Sequence, residues 1–166
     1  MIPAASQFDL FLKANEIGLR LEITGGMPSW ETQPVLVHQE TIDVIRASIR
    51  RSSGESECGC VHYADLYVEF PDGSLKRPDI SIFCRRPTEL TTAVTLIPEA
   101  VIEVISQGYE MKDLEINPTF FLSQGVKDVL VLDPMTKFIL HARKDGKKTY
   151  TSPQEFKLEC GCIVTV

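Results

Sequence analysis

Two short apolar runs, RPDISIFC (77–84) and PEAVIEVIS (98–106), each carry one acid in their middle, Asp79 and Glu103. A carboxylate in a stretch that should be buried costs several kcal/mol unless something pairs with it, so each acid needs a partner. A shared divalent cation is the simplest partner. If the runs are neighbouring strands of one sheet, both carboxylates reach one hard ion, and metal-assisted phosphodiester hydrolysis is the leading expectation. The competing reading is two unrelated acids at strand ends.

With 166 residues, 43% hydrophobic and 24% charged, the chain is expected to bury one core and form one domain, 1–166. No segment has the uninterrupted apolar length that crosses a bilayer, and MIPAASQFDLFLKANEIG lacks a basic stretch followed by an apolar core. No membrane association and a cytoplasmic location are therefore expected. A net charge of −6 argues against tight, nonspecific coating of nucleic acid. Local clusters, Arg46, Arg50 and Arg51 or Arg85 and Arg86, still offer contacts to phosphates.

Five cysteines are present, four of them in two Cys-Gly-Cys triplets, Cys58/Cys60 and Cys160/Cys162, with Cys84 alone. Four thiolates suit zinc, although zinc loops usually separate their cysteines by two to four residues rather than one. The stronger alternative is that residues two apart share one face of a strand and pack as small hydrophobes. A disulfide framework is not expected in a reducing compartment.

Along the chain, Phe8, Phe11 and Leu12 predict a helix over 6–16 with Ser6 as its cap. Leu19, Leu21 and Ile23 alternate with Arg20, Glu22 and Thr24, a half-buried strand that ends at Gly25-Gly26 and has Glu22 on its polar face. Pro34 opens a helix to about Ser52, with Ile42, Ile45 and Ile49 inward, His38 on the same stripe and Arg46 and Arg50 in an exposed row. His38 reads as a packed, hydrogen-bonded side chain rather than a ligand. Residues 61–70 alternate as one long strand, and Pro71-Asp72-Gly73 turns the chain back into the strand that contains Asp79. Pro78 marks a strand start or edge, and 100–105 reads as a central strand. Asn117-Pro118 reads as a cap and first turn of a helix ending at Gly125, and 128–132, 138–142 and the last residues read as strands. The sum is an α/β (α+β) domain with a central mixed sheet flanked by helices.

Pro-Asp opening one strand and Glu inside the next resembles the PD-(D/E)XK restriction-endonuclease-like superfamily. More narrowly, RPDISIF, PEAVIEVIS, MKDLEI, FFLSQGVKDVLVLDP and RLEITGGMP, with His38 at a helix start, resemble the Uma-two family of endonuclease-like proteins, long catalogued as a domain of unknown function. The resemblance spans most of the chain. It implies a restriction-endonuclease-like fold, Mg2+ or Mn2+ as cofactor, DNA as substrate, and a homodimer whose two sites address two strands. Residue by residue it implies Asp79 and Glu103 as metal ligands, the Val104 carbonyl as a third, and Glu22 reaching the site through water. The superfamily's lysine is missing from both familiar positions, which hold Ile105 and Asn117. Lys112, just past the Glu103 strand, is the remaining candidate for that role, against the reading of a solvated surface charge. A relative that lacks the lysine is alternatively a catalytically silent module that binds nucleic acid or assembles with a partner.

Overall fold

The computed structural model describes residues 4–54 and 56–166. Helix α1 (Ala4–Glu16) leads into a hairpin of β1 (Leu19–Thr24) and β2 (Met27–Thr32), and α2 (Leu36–Ser48) follows. Next come β3 (Arg50–Arg51), β4 (Val61–Ala64), β5 (Val68–Glu69), β6 (Leu75–Lys76), β7 (Ile80–Phe83) and β8 (Ala100–Val104). A π-helical turn (Lys112–Ile116) runs directly into α3 (Asn117–Ser123). The chain then forms β9 (Asp128–Leu132), β10 (Phe138–Arg143), β11 (Gly146–Thr151), β12 (Glu155–Lys157) and β13 (Cys162–Thr165).

The central sheet has six strands in the order β11-β10-β9-β8-β7-β4. It is mixed: β8 and β9 run parallel, joined through α3, while the other neighbours are antiparallel. Every residue of β7, β8 and β9 is buried, because both faces are covered. The period of two sends Ile80, Ile82, Ile102, Val104, Leu130 and Leu132 to the face under α2 and β13. Val101, Val129, Val131 and Leu140 go to the other face, where α3 packs Phe120 and Phe121. Each such side chain stabilises the fold by roughly 1.5–3 kcal/mol.

Two smaller sheets, β2-β1-β6-β5 and β12-β13-β3, flank the central one, so the single sheet expected from the sequence is three. Strand β1 is also turned over relative to expectation. Arg20 and Glu22 are its buried residues, while Leu21 and Ile23 only half-bury against Phe11, Tyr67 and Leu75. The run 61–70 is not one strand. Asp65, at φ 54°, breaks it, and β4 and β5 join different sheets. Helix α2 stops at Ser48, which places Arg50 in β3, paired with Glu155 at 2.7 Å, instead of in a helical row with Arg46. At the amino terminus, α1 starts at Ala4, so Ser6 lies inside the helix and does not cap it; its side chain lies outside the described residues. The turn at 71–73 forms as expected, with Gly73 at φ 82° and β5 antiparallel to β6.

Asp128 ties the far half of the sheet together. Its buried carboxylate accepts hydrogen bonds from His141 Nε2 at 2.7 Å, Arg143 Nε at 2.5 Å and the Glu159 amide at 2.7 Å. Burial pushes its pKa up, but these three donors outweigh burial and hold it below the usual carboxylate range. Its contribution is therefore present above that range and lost as pH falls through it. Replacing Asp128 with Ala leaves the His141 ring, the half-exposed Arg143 guanidinium and the Glu159 amide without their shared acceptor, and the expected cost is about 1–3 kcal/mol. A lower urea midpoint with an unchanged slope is the measurement that checks this.

Candidate active site

The site forms where the start of β7 meets the carboxyl end of β8. Register pairs Ile80 with Ile102, which sets Asp79, just ahead of β7, beside Glu103 and Val104. The two acids clasp each other's backbone. The Val104 amide donates to Asp79 Oδ2 at 2.8 Å, and the Asp79 amide donates to Glu103 Oε2 at 3.2 Å. Sequence placed the pair on adjacent strands, and the structure does so too, except that Asp79 sits one residue before its strand begins.

The other Asp79 oxygen, Oδ1, faces the Arg20 guanidinium at 3.5 Å, and Arg20 also pairs with Asp65 at 3.1 Å. Burial works against the Arg20 charge, but Asp79 and Asp65 overcome it and raise the pKa. His38 reaches in from the first turn of α2. Its Nε2 lies 3.2 Å from Asp79 Oδ2 and 2.9 Å from the Val104 carbonyl oxygen. Burial lowers the imidazole pKa, yet the hydrogen bond and charge of Asp79 prevail and raise it. His38 is thus hydrogen-bonded, as its place on the apolar stripe suggested, and its partners are the candidate ligands themselves.

Asp79 Oδ2, the Val104 carbonyl and His38 Nε2 make a compact set of hard and borderline donors. The two separations from His38 Nε2, 3.2 and 2.9 Å, are close to the roughly 3.0 Å between neighbouring ligands of an octahedral ion with bonds of about 2.1 Å. Glu103 stands one hydrogen bond away. Burial, followed by the charges of Asp79, Asp113 and Glu22, holds its pKa well above the usual carboxylate range. Such a carboxylate demands a proton or a cation. Asp79, His38 and the Val104 carbonyl are thus the donors drawn together, while the Glu103 carboxylate is turned to the Asp79 amide and Asn117.

Glu22 is committed elsewhere. Its Oε2 accepts from Lys76 Nζ at 2.7 Å and its Oε1 from the Arg77 amide at 2.8 Å. Burial alone would raise its pKa, but the charges of Lys76 and Lys112 dominate and hold it at about 2. Lys76, only 1% exposed, also donates to Thr24 Oγ1 at 3.2 Å and to Asn117 Oδ1 at 3.1 Å. Asn117 is fully buried, inside a continuous run of helix, so it is not the cap that Asn-Pro suggested. Its Nδ2 donates to Glu103 Oε1 and Asp113 Oδ1, both at 3.3 Å. Burial pushes Asp113 up to about 6, against the pull of Lys112. Lys112 pairs with Glu31 and lies 3.7 Å from both Glu22 and Asp113. It is a half-buried charge among acids rather than a free surface one, and it is not paired with Asp79 or Glu103 among the described pairs.

Three members of this network, Lys76, Asn117 and Asp113, escaped sequence reasoning as site residues. One signal was available for Lys76: it sits three residues before Asp79, in a strand whose neighbours are buried. A groove of about 460 Å³ opens beside His38, Ile105 and Ser106, beyond the carboxyl end of β8. Among the described residues no helix is long and apolar enough to cross a membrane.

No curated protein matches the chain. A solved structure, "a putative nuclease belonging to DUF820" from Anabaena variabilis ATCC 29413, aligns with a TM-score of 0.63 at 23% identity, over 88% of this chain and 84% of that one. At that identity the likeness is one of fold. A family profile, Uma2, described as "Putative restriction endonuclease", matches residues 11–159. That span takes in β1, α2, the Asp79 and Glu103 strands and α3, and the chain belongs to the Uma2 family.

Proposed function

We propose that this protein is a nuclease that hydrolyses DNA phosphodiester bonds with Mg2+ or Mn2+. The observation that carries the reading is the convergence of His38 Nε2, Asp79 Oδ2 and the Val104 carbonyl, with Glu103 one hydrogen bond away. Membership of a family described as "Putative restriction endonuclease", and a fold shared with "a putative nuclease", support it. Asp79, Glu103, His38 and the Val104 carbonyl would hold the ion, while Glu22, committed to Lys76 and the Arg77 amide, anchors the neighbouring ammonium. When bound, such an ion supplies a Lewis acid for a phosphate oxygen and a water of lowered pKa.

The chain's own groups do the rest. Lys76, fixed by Glu22, Thr24 and Asn117, presents the one fully buried ammonium of the network, where the family's lysine is replaced by Asn117. All three of its N–H groups are donated, so its role is to hold Glu22 and Asn117 in place behind the acids. Asn117 links it to Glu103 and so fixes the spacing between cation and acid. The groove beside His38 is the route by which a phosphodiester would reach His38 and the ion it would hold. A second copy of the chain would present a second site to the opposite strand.

Nicking of supercoiled plasmid tests this. Wild-type protein should nick with Mg2+ or Mn2+ and stop on chelation, and Glu103→Gln should not nick; equal nicking by that variant overturns the assignment. At a hundredfold excess over its dissociation constant, Mn2+ should also stabilise the fold by about 2.7 kcal/mol, read as a rise in Tm.

Specific observations favour a second reading, a catalytically silent module that binds nucleic acid. Arg20 already neutralises Asp79, Asn117 stands in the lysine position, and the groove carries Glu110 and Asp133 but no Lys or Arg. Metal-induced stabilisation and DNA band shifts without cleavage would establish it.

A further inference from the structure

The five cysteines take no part in the acid site, yet they meet at one point. Cys58 and Cys60 precede β4, Cys84 follows β7, and Cys160 and Cys162 lie at the entry to β13. Contrary to the sequence expectation, disulfides join Cys58 to Cys84 and Cys60 to Cys162, and Cys160 is a free thiol. The two pairs are one cluster. Cys58 and Cys162 sulfurs are 3.6 Å apart. Cys58, Cys60 and Cys162 sulfurs lie within 4.8 Å of one another, as do those of Cys58, Cys84 and Cys160. These are the sulfur clusters that, among the described residues, are tight enough to share an ion through side chains alone.

The glycines of both triplets serve this approach. A Cβ on Gly59 would stand 2.7 Å from the Cys84 carbonyl oxygen, which already accepts the Gly59 amide hydrogen bond at 2.7 Å. Gly161, at φ 93°, would drive a Cβ into the Ser56 side chain. Cys60 itself adopts φ 50°, a conformation rarely taken by a residue with a side chain. The backbone is thus shaped, at a conformational cost, to bring thiols from three segments together.

We infer that the reduced form of the chain binds one zinc-class ion on Cys58, Cys60, Cys84 and Cys162, with Cys160 as a spare thiol at the rim. Zinc–sulfur bonds of about 2.3 Å set tetrahedral edges of roughly 3.8 Å. The 3.6 Å between the Cys58 and Cys162 sulfurs is already one such edge. The bonded pairs open to that length on reduction, and Cys84, released from Cys58, swings in as the fourth ligand of the Cys58, Cys60 and Cys162 group. An iron–sulfur cluster would need its thiolates further apart, each on a different iron. The one-residue gap inside each triplet is no obstacle, because the ligands come from three segments and not from two zinc loops. From the disulfide form, two equivalents of a dithiol reductant are consumed. Each disulfide takes two electrons and two protons and leaves its reductant as a disulfide. Binding of Zn2+ then releases the four thiol protons to solvent, leaving a site of net charge −2. The ion would staple β13 and the start of β4 to the end of β7, as the disulfides do in the oxidised form. Soft thiolates select zinc where the carboxylates of the other site select Mg2+ or Mn2+, so this inference stands independently of the proposed nuclease activity.

The test uses the full chain, purified with a phosphine reductant and without chelator. Elemental analysis should find one zinc per chain, retained in Asp79→Asn and Cys160→Ser and lost in Cys58→Ser and Cys162→Ser. Reduced, zinc-free wild-type protein titrated with Co2+ should develop tetrahedral cobalt–thiolate absorption that saturates at one equivalent, a readout that does not depend on any variant folding. A reduced wild-type chain with neither zinc nor this absorption overturns the inference. Zinc retained in Cys58→Ser, or lost in Cys160→Ser, overturns the ligand set.

Discussion

Asp79→Asn is expected to lower metal-supported plasmid nicking by about a hundredfold to a thousandfold and to remove the Tm increment given by Mn2+. Asparagine keeps the shape of the side chain and leaves an oxygen to accept from the Val104 amide. What it removes is the charge that holds His38 and Arg20 in place and would hold a cation. A metal contributes several kcal/mol of charge stabilisation in the transition state, and each ~1.4 kcal/mol is a factor of ten in rate. Nicking at the wild-type rate by this variant would remove the metal site from the mechanism.

Lys76→Met should have the largest effect on stability, about 3–5 kcal/mol, because it leaves the Glu22 carboxylate buried without its closest cation. The pH dependence identifies the cause. The charges of Lys76 and Lys112 hold Glu22 at about 2 in the fold, well below its ordinary value of 4.5. A depressed carboxylate stabilises fully above its unfolded pKa and ceases to do so as pH falls through its folded one. Wild-type protein should therefore lose roughly 3 kcal/mol between pH ~5 and ~2 through this group alone. In Lys76→Met that segment of the acid slope should largely vanish; an identical slope in urea midpoints would refute the pairing argument. Lys112→Met should cost about 1 kcal/mol or less, since its ammonium is partly solvated. At temperatures where both variants stay folded, Lys76→Met should lose nicking and Lys112→Met retain it. The opposite result would return the role to Lys112.

The chain announced its sheet more clearly than its site. β8 and β9 were legible because a strand buried on both faces reads as an unbroken apolar run, and the 71–73 turn because proline and glycine impose local dihedrals. Failure came where a local pattern had two physical solutions. Alternation in β1 says that two faces differ, not which one is buried, and buried ion pairs to Lys76 and Asp79 turned the charged face inward. Asn-Pro has a strong local reading as a cap, but a π-helical turn ahead of it carried the helix through and aimed Asn117 at Glu103. His38 was read correctly as hydrogen-bonded, while the identity of its acceptors, 41 and 66 residues away, had no local signature.

Sequence alone determined that Asp79 and Glu103 lie in apolar strand segments and so need partners, since apolar neighbours and strand period act over a few residues. Tertiary structure alone decided what those acids meet. Lys76 reaches Asn117 across 41 positions, His38 reaches Val104 across 66, and the sulfurs of Cys58 and Cys162 meet across 104. Contacts of that span arise only when sheets and helices pack, because the groups that satisfy a buried charge are chosen by space and not by order along the chain.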